Sequence, residues 1–463
     1  MKMNRRQFLK NSTALATATG LGSLTAVSSA LSSFSALAAT GDDYKALVCV
    51  FLHGGMDNHD TVLPYDQPSY NRYAQIRRSL VSQYQGQRDR NNLLPLNPDN
   101  AAGFGGRAFA LPPQMPGISN LFAQGNAAII GNVGPLITPA TQTEFEQESV
   151  ALPSRLFSHN DQQATWLSSS PEGAVYGWGG AFADATISAG QNSNREFSVI
   201  TSGGNDLFLT GEHAIPYQIN AGEAQEIKAL GDVDDNEALA QLLASHFSAT
   251  DFSSSNLAQQ DIAAALAKSS ATNNSYNRAL AGIAPLTTSF PQSHLARQLQ
   301  GVARTIGAKE TLGVKRQVFI VGMGGFDTHS EQAKSLPELH AALDGAITAF
   351  YTGMLELGLG DKVTLFTASD FGRTLAVNDD GTDHGWGGHH FVIGDAVNGR
   401  NIYGNMPPMS FGHAQDAGSG RLIPTTSVEQ MAEPLGRWFG LTEQQLAQAL
   451  PNLNNFSSRL NFI

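Results

Sequence analysis

Between residues 318 and 366 the chain contains a unit that admits few folds. Residues 318–321 form a short apolar, β-branched run. Behind Pro337, residues Leu339, Leu343, Ile347, Phe350 and Met354 recur at helical spacing, and Gly358 and Gly360 then turn the chain into a second apolar run, 363–366. Strand, helix and strand in that order form a right-handed crossover between parallel strands. Proline suits a first helical turn, so the predicted helix starts near Leu336. Continuous apolar runs, as opposed to alternating ones, mark strands buried on both faces. Residues 46–52, 127–130 and, more weakly, 391–393 are runs of the same kind. The fold class expected is therefore α/β around a mostly parallel sheet. In such folds the loops beyond the carboxyl ends of the strands gather along one edge, where ligands bind.

Three segments dense in metal or proton-transfer donors bear on that edge. They are 325–329 (GFDTH), 367–374 (TASDFGRT) and 381–385 (GTDHG). Imidazole and carboxylate are the donors a zinc-like or manganese-like ion prefers. Each segment alone is equally compatible with Asp and His capping turns. The first two, however, follow directly on predicted strands. Residues 46–52 likewise run into a glycine loop at His53-Gly54-Gly55.

The rest of the chain constrains location and partners. Arg5 and Arg6 precede Phe8 and Leu9, and a weakly apolar stretch over 13–30 leads to Ala36-Leu37-Ala38. This pattern is a twin-arginine export address with a cleavage site after Ala38. Residues 1–38 are thus expected to be a signal peptide recognised by the twin-arginine translocase, and residues 39–463 a periplasmic or secreted protein. The stretch is too polar to remain as a membrane span, and no later segment reaches spanning length, so no stable membrane anchoring of the mature chain is expected. A net charge of −12 argues against nucleic acid as a partner. The single cysteine, Cys49, lies in an apolar run and reads as a core residue. Residues 205–309 shift towards Ala, Gln, Ser and Asn and read as a mostly helical insertion or cap. Its expected helices cover 223–230, 236–247 and 257–267, with a polar surface linker at 269–275.

At residues 52–57 (LHGGMD), 158–162 (SHNDQ), 325–332 (GFDTHSEQ), 369–374 (SDFGRT) and 381–385 (GTDHG), the sequence resembles the twin-arginine-exported bacterial proteins called domain of unknown function 1501. That family is grouped with the alkaline phosphatase and sulfatase superfamily, and the resemblance covers essentially all of the mature chain. It implies an alkaline phosphatase-like three-layer sandwich with a helical insertion. It also implies an exported metal-dependent hydrolase of phosphate or sulfate esters, or a noncatalytic ligand-binding or assembly protein on the same scaffold.

The resemblance further implies that Asp327, His329 and His384 hold one divalent ion, zinc or manganese, and that Asp370 contributes to a second. Phe371 stands where the superfamily has a second-metal histidine and has no lone pair to donate, which leaves that second ion short of a ligand. The glycine loop lacks the superfamily's metal-binding carboxylate, for which Asp57 is the displaced substitute. At the nucleophile position, the start of a polar helix, Ser158 and His159 are both candidates. Ser158 would attack as an activated hydroxyl, whereas His159 would activate it or hold a metal that activates water. Arg373 either clamps a substrate oxyanion or pairs with Asp379 or Asp380. His53 and His59 read as loop-stabilising, His389 and His390 as ligands or strand-edge residues, and His340 as an ordinary structural or surface residue.

Overall fold

The structure is a computed structural model describing residues 44–202, 207–220, 223–224 and 257–463. The signal peptide expected at 1–38 and the helix expected at 236–247 lie outside the described residues. A main sheet runs in the order β12 (Ile402–Gly404), β5 (Ala127–Gly134), β11 (Gly388–Ile393), β10 (Val363–Ser369), β1 (Lys45–Leu52), β9 (Arg316–Met323), β6 (Val199–Thr201), β7 (Tyr217–Asn220), β8 (Glu223–Ala224), and β13 (Thr426–Ser427) also pairs with β5. A small antiparallel sheet of β2 (Leu63–Pro64), β4 (Phe109–Leu111) and β3 (Leu94–Leu96) lies apart.

The main sheet is mostly parallel, as its apolar runs require. β1 pairs in parallel with β9 and β10, and β6 continues in parallel from β9. β11 runs against both β10 and β5, and β8 runs against β7. Alternate residues of β1 serve two cores. Ala46, Val48, Val50 and Leu52 pack on one face with Leu299, Val302, Leu343 and Ile347. Leu47, Cys49 and Phe51 pack on the other with Phe182, Met431 and Leu435. The helices Pro116–Gln124, His294–Gly307 and Gln332–Glu356 form one outer layer, and Trp178–Ser188, Val428–Phe439 and Glu443–Ala449 the other. Buried strands that feed both faces with apolar side chains fix this three-layer arrangement.

Three local expectations differ from what folds. The helix Gln332–Glu356 starts one turn earlier than Leu336, with Pro337 inside it. The Gln332 side chain anchors that extra turn through hydrogen bonds with Thr328, Thr382 and Asp57. Residues 223–224, expected to be helical, form a strand against β7. Residues 269–275, expected to be a linker, lie within the helix Leu257–Ala281. That helix continues because Tyr276 and Ala279 bury themselves beyond the polar stretch, with Tyr276 Oη bonded to Thr305 Oγ1 at 2.7 Å.

Candidate metal centre

In the sheet register, Leu52 sits beside Met323 on one side and Ser369 on the other. The loops that leave these three residues therefore start side by side. The reversed direction of β11 brings its first residue, and His384 just before it, to the same edge. Close backbone approach demands glycine here. Gly54 has a φ of 113°, and a Cβ on it would lie 2.3 Å from the amide nitrogen of Asp327. A Cβ on Gly381 would meet the backbone of His329 at 2.2 Å.

The result is a half-open cluster around Asp327. Its Oδ1 lies 3.1 Å from His329 Nε2 and 3.2 Å from His384 Nε2, and its Oδ2 lies 3.5 Å from His159 Nε2. The two facing imidazole nitrogens, His329 Nε2 and His384 Nε2, are 2.9 Å apart. One ligand atom each from His159, Asp327 and His384 falls within 4.8 Å of the others. The helix His159–Ser168 delivers His159, whose ring packs 4.8 Å from that of Phe371 and 4.4 Å from that of His384.

Partners outside the cluster set each tautomer. His384 Nδ1 is 2.8 Å from the carbonyl of Phe157, and His159 Nδ1 is 2.5 Å from Asp370 Oδ2. Both oxygens can only accept, so both Nδ1 atoms donate and the neutral rings carry their lone pairs on Nε2, facing Asp327. The hydrogen bond to Asp370, helped by the nearby charges of Asp370 and Asp327, raises the pKa of His159. Burial lowers that of His384. Burial pushes the Asp327 carboxyl up, but the hydrogen bond and charge of Arg373 outweigh it and hold the pKa below the usual value.

The cluster therefore gathers acceptors, namely imidazole lone pairs and a carboxylate, that repel one another unless a proton or a cation lies among them. Donor gaps of 2.9–3.5 Å suit ligands about 2.1 Å from a shared zinc-like ion. A divalent ion fits the site chemically, and ligating histidines held through Nδ1 by a carboxylate or a carbonyl are the usual arrangement around one.

Several expected roles do not survive. Asp57 is fully buried, caps the helix Asn58–Thr61 and gives its oxygens to Arg77 (2.7 and 3.2 Å) and to Gln332 Nε2 (2.6 Å). That carboxylate is used up in a closed network and is not a metal ligand. Arg373 is also fully buried. Its Nε donates to Thr382 Oγ1, its Nη2 to Thr382 O, and its Nη1 to Gly54 O and to Asp327 Oδ1 at 2.9 Å. It orients Asp327, pairs with neither Asp379 nor Asp380, and is not poised to clamp a substrate. The Ser158 hydroxyl donates to Asp161 Oδ2 at 2.9 Å, so at the helix start the imidazole of His159, and not the hydroxyl, faces the cluster. His389 and His390 are buried inside the sheet and are not strand-edge residues, and His389 Nδ1 accepts the amide of Asn132.

Sequence reasoning missed Gln163, whose Nε2 donates to Asp370 Oδ2 at 2.8 Å, and Phe157, which holds His384 from a left-handed backbone with φ of 71°. The i, i+4 spacing of His159 and Gln163 on one helix face was the available signal for the first. Nothing in the sequence marks Phe157.

Residues 44–451 match the family described as "Protein of unknown function (DUF1501)". The chain belongs to this family. No curated protein matches it. Among solved structures it is similar to the PsFucS1 sulfatase from Pseudoalteromonas sp., with 8% identity over 90% of this chain and 72% of that one and a TM-score of 0.37. It is also similar to Ps i-CgsB in complex with k-i-k-neocarrahexaose, with 9% identity over 87% and 74% and a TM-score of 0.34. A multiply substituted form of the alkaline phosphatase PafA shares 12% identity over 72% and 63%, with a TM-score of 0.28.

Proposed function

We propose that this DUF1501 protein is an exported, metal-dependent hydrolase of phosphate or sulfate esters. The observation that carries the reading is the convergence of His159, Asp327 and His384 on one point from three separate segments. When bound, the divalent ion would supply a Lewis acid that polarises an ester oxygen. The chain's own residues prepare the place. Arg373 fixes the carboxylate of Asp327, Asp370 fixes the ring of His159, and the Phe157 carbonyl fixes that of His384. His329 completes the mouth, its side chain 43% exposed and its Nδ1 3.3 Å from Asp383. Phe371 lines the inner wall against the rings of His159 and His384 and keeps water from that side.

The export half of the reading rests on Arg5 and Arg6. Replacing both with Lys leaves the protein in the cytoplasm, because the address is read by a receptor. Periplasmic accumulation of that variant overturns it.

The test of function is elemental analysis of protein purified after native export, followed by assay on aryl phosphates and aryl sulfates. Bound divalent metal with turnover of either ester is the expected result. A second reading, a ligand-binding protein without catalysis, draws on the Ser158 hydroxyl being turned away to Asp161. It predicts bound metal without turnover of either ester.

A further inference from the structure

We propose that the site takes a single metal ion per chain with His159 Nε2 among its ligands, and that Asp370 binds no metal but acts as the positioning residue that aims His159. This rests on the metal reading above and narrows it.

The first ground is the state of the Asp370 carboxylate. It is wholly buried, its Oδ2 accepts from His159 Nδ1 at 2.5 Å and from Gln163 Nε2 at 2.8 Å, and its Oδ1 accepts from the Gly54 amide at 3.2 Å. A carboxylate offers about four lone-pair directions, and three are in use. An ion on Asp370 would find only the one remaining lone pair on Oδ1, and taking the carboxylate in any other way would displace a donor and strand it in a buried place, at the cost of an unmade hydrogen bond.

The second ground is what lies beside Asp370. The ring of Phe371 packs 4.8 Å from that of His159 and 4.6 Å from that of His384. Phe371 thus presents an apolar face beside Asp370 that offers a second ion no donor, and charge placed against that face would go uncompensated there. The third ground is direction. Asp370 can only accept, so His159 keeps its proton on Nδ1 and its lone pair on Nε2, 3.5 Å from Asp327 Oδ2. Gln163 lies one helical turn beyond His159, so one rigid helix supplies both the imidazole and the second donor that steadies its partner.

The experiment uses protein purified after native export, stripped with a chelator and titrated with zinc against a chromophoric competitor. Cobalt(II) is then added and its visible spectrum recorded. Wild type is expected to bind one ion per chain. Asp370→Asn keeps that stoichiometry but binds about 10–100-fold more weakly, the usual cost of losing the outer partner of a ligating histidine, and its cobalt spectrum shifts. His159→Ala weakens binding further. Gln163→Met weakens it in the same direction and decides the matter if Asp370→Asn fails to fold, as judged by circular dichroism of the metal-free protein.

Two ions in wild type, with Asp370→Asn falling to one, overturn the inference and leave the metal reading standing. One ion whose affinity is unchanged by Asp370→Asn, or by His159→Ala, does the same. No bound ion in wild type overturns both.

Discussion

Two polar clusters lie at the carboxyl edge of the sheet, and they differ in whether their charges are already used. Behind the edge, Asp57 and Asp60 face Arg77 in full burial, while Tyr73 and Tyr84 donate to Asp60 and Gln332 ties both carboxylates together. At the edge, Asp327 keeps 44% of its side chain exposed, and its second oxygen lies 3.5 Å from His159 Nε2. The closed cluster meets its carboxylate oxygens with donors from Arg77, Tyr73, Tyr84 and Gln332, whereas the open one carries more acceptors than donors. A carboxylate is available to a ligand only where its neighbours leave lone pairs free, and that criterion separates Asp327 from Asp57 better than their sequence motifs do.

The largest expected effect tests the closed cluster. Arg77→Met strands two buried carboxylates and should cost about 3–5 kcal/mol of folding stability in chemical denaturation. A loss below about 1 kcal/mol would mean that the network is not load-sharing as described. The open cluster should respond to metal instead. Zinc at 100-fold over its dissociation constant should stabilise wild type by about 2.7 kcal/mol, and Asp327→Asn should abolish that gain while remaining folded. An equal zinc response in the variant would move the site elsewhere.

Acid should expose the buried histidines next. Burial drives the pKa of His389 down to about 4 and those of His340 and His390 down to about 3. A depressed pKa means that the unfolded chain takes up protons the folded one refuses. The stability these neutral rings contribute is therefore present above pH about 6.5 and is lost as pH falls from there towards their folded values. His340, bonded to Thr61 beside the closed cluster, should account for up to about 1.4 kcal/mol per pH unit of that slope. The check is whether His340→Gln flattens the stability profile between pH 6.5 and 4, and an unchanged slope would remove His340 from the account. The smallest effect concerns Ser158. Ser158→Ala removes only a partly exposed hydroxyl bonded to Asp161, so zinc content should stay at the wild-type level and stability should fall by about 1 kcal/mol or less. Loss of zinc in that variant would put Ser158 back in the centre.

The sheet was legible because strands buried on both faces need unbroken apolar runs, and residues 46–52, 318–321 and 363–366 are such runs. The motifs carrying Asp327, His329 and Asp370 were legible for the same reason, since each follows a strand end, whereas His384 was legible through the family resemblance of residues 381–385. The roles of Asp57 and Arg373 were not, because burial of a charge is decided by partners far away in sequence. Asp57 meets Gln332 across 275 positions, and Arg373 meets Gly54 across 319. The polar stretch 269–275 misled for the opposite reason: local composition suggested a linker, while Tyr276 just beyond it was held by the distant Thr305.

The reversed strand β11 has a consequence for how such a site can be altered. Because β11 returns alongside β10, with Leu365 opposite Ile393 and Phe366 opposite Val392, residues 370–387 leave the sheet and re-enter it next door without a crossover. That single stretch carries Asp370, Arg373, Asp383 and His384. It is anchored at both ends to neighbouring strands, so exchanging it for the matching stretch of a relative rethreads nothing else. The exchange must, however, keep the carbonyls of Thr374 and Leu375 that Arg77 holds and the Arg373 that reaches Gly54. Exchange of that stretch brings over both the residue that aims His159 and the imidazole that faces it.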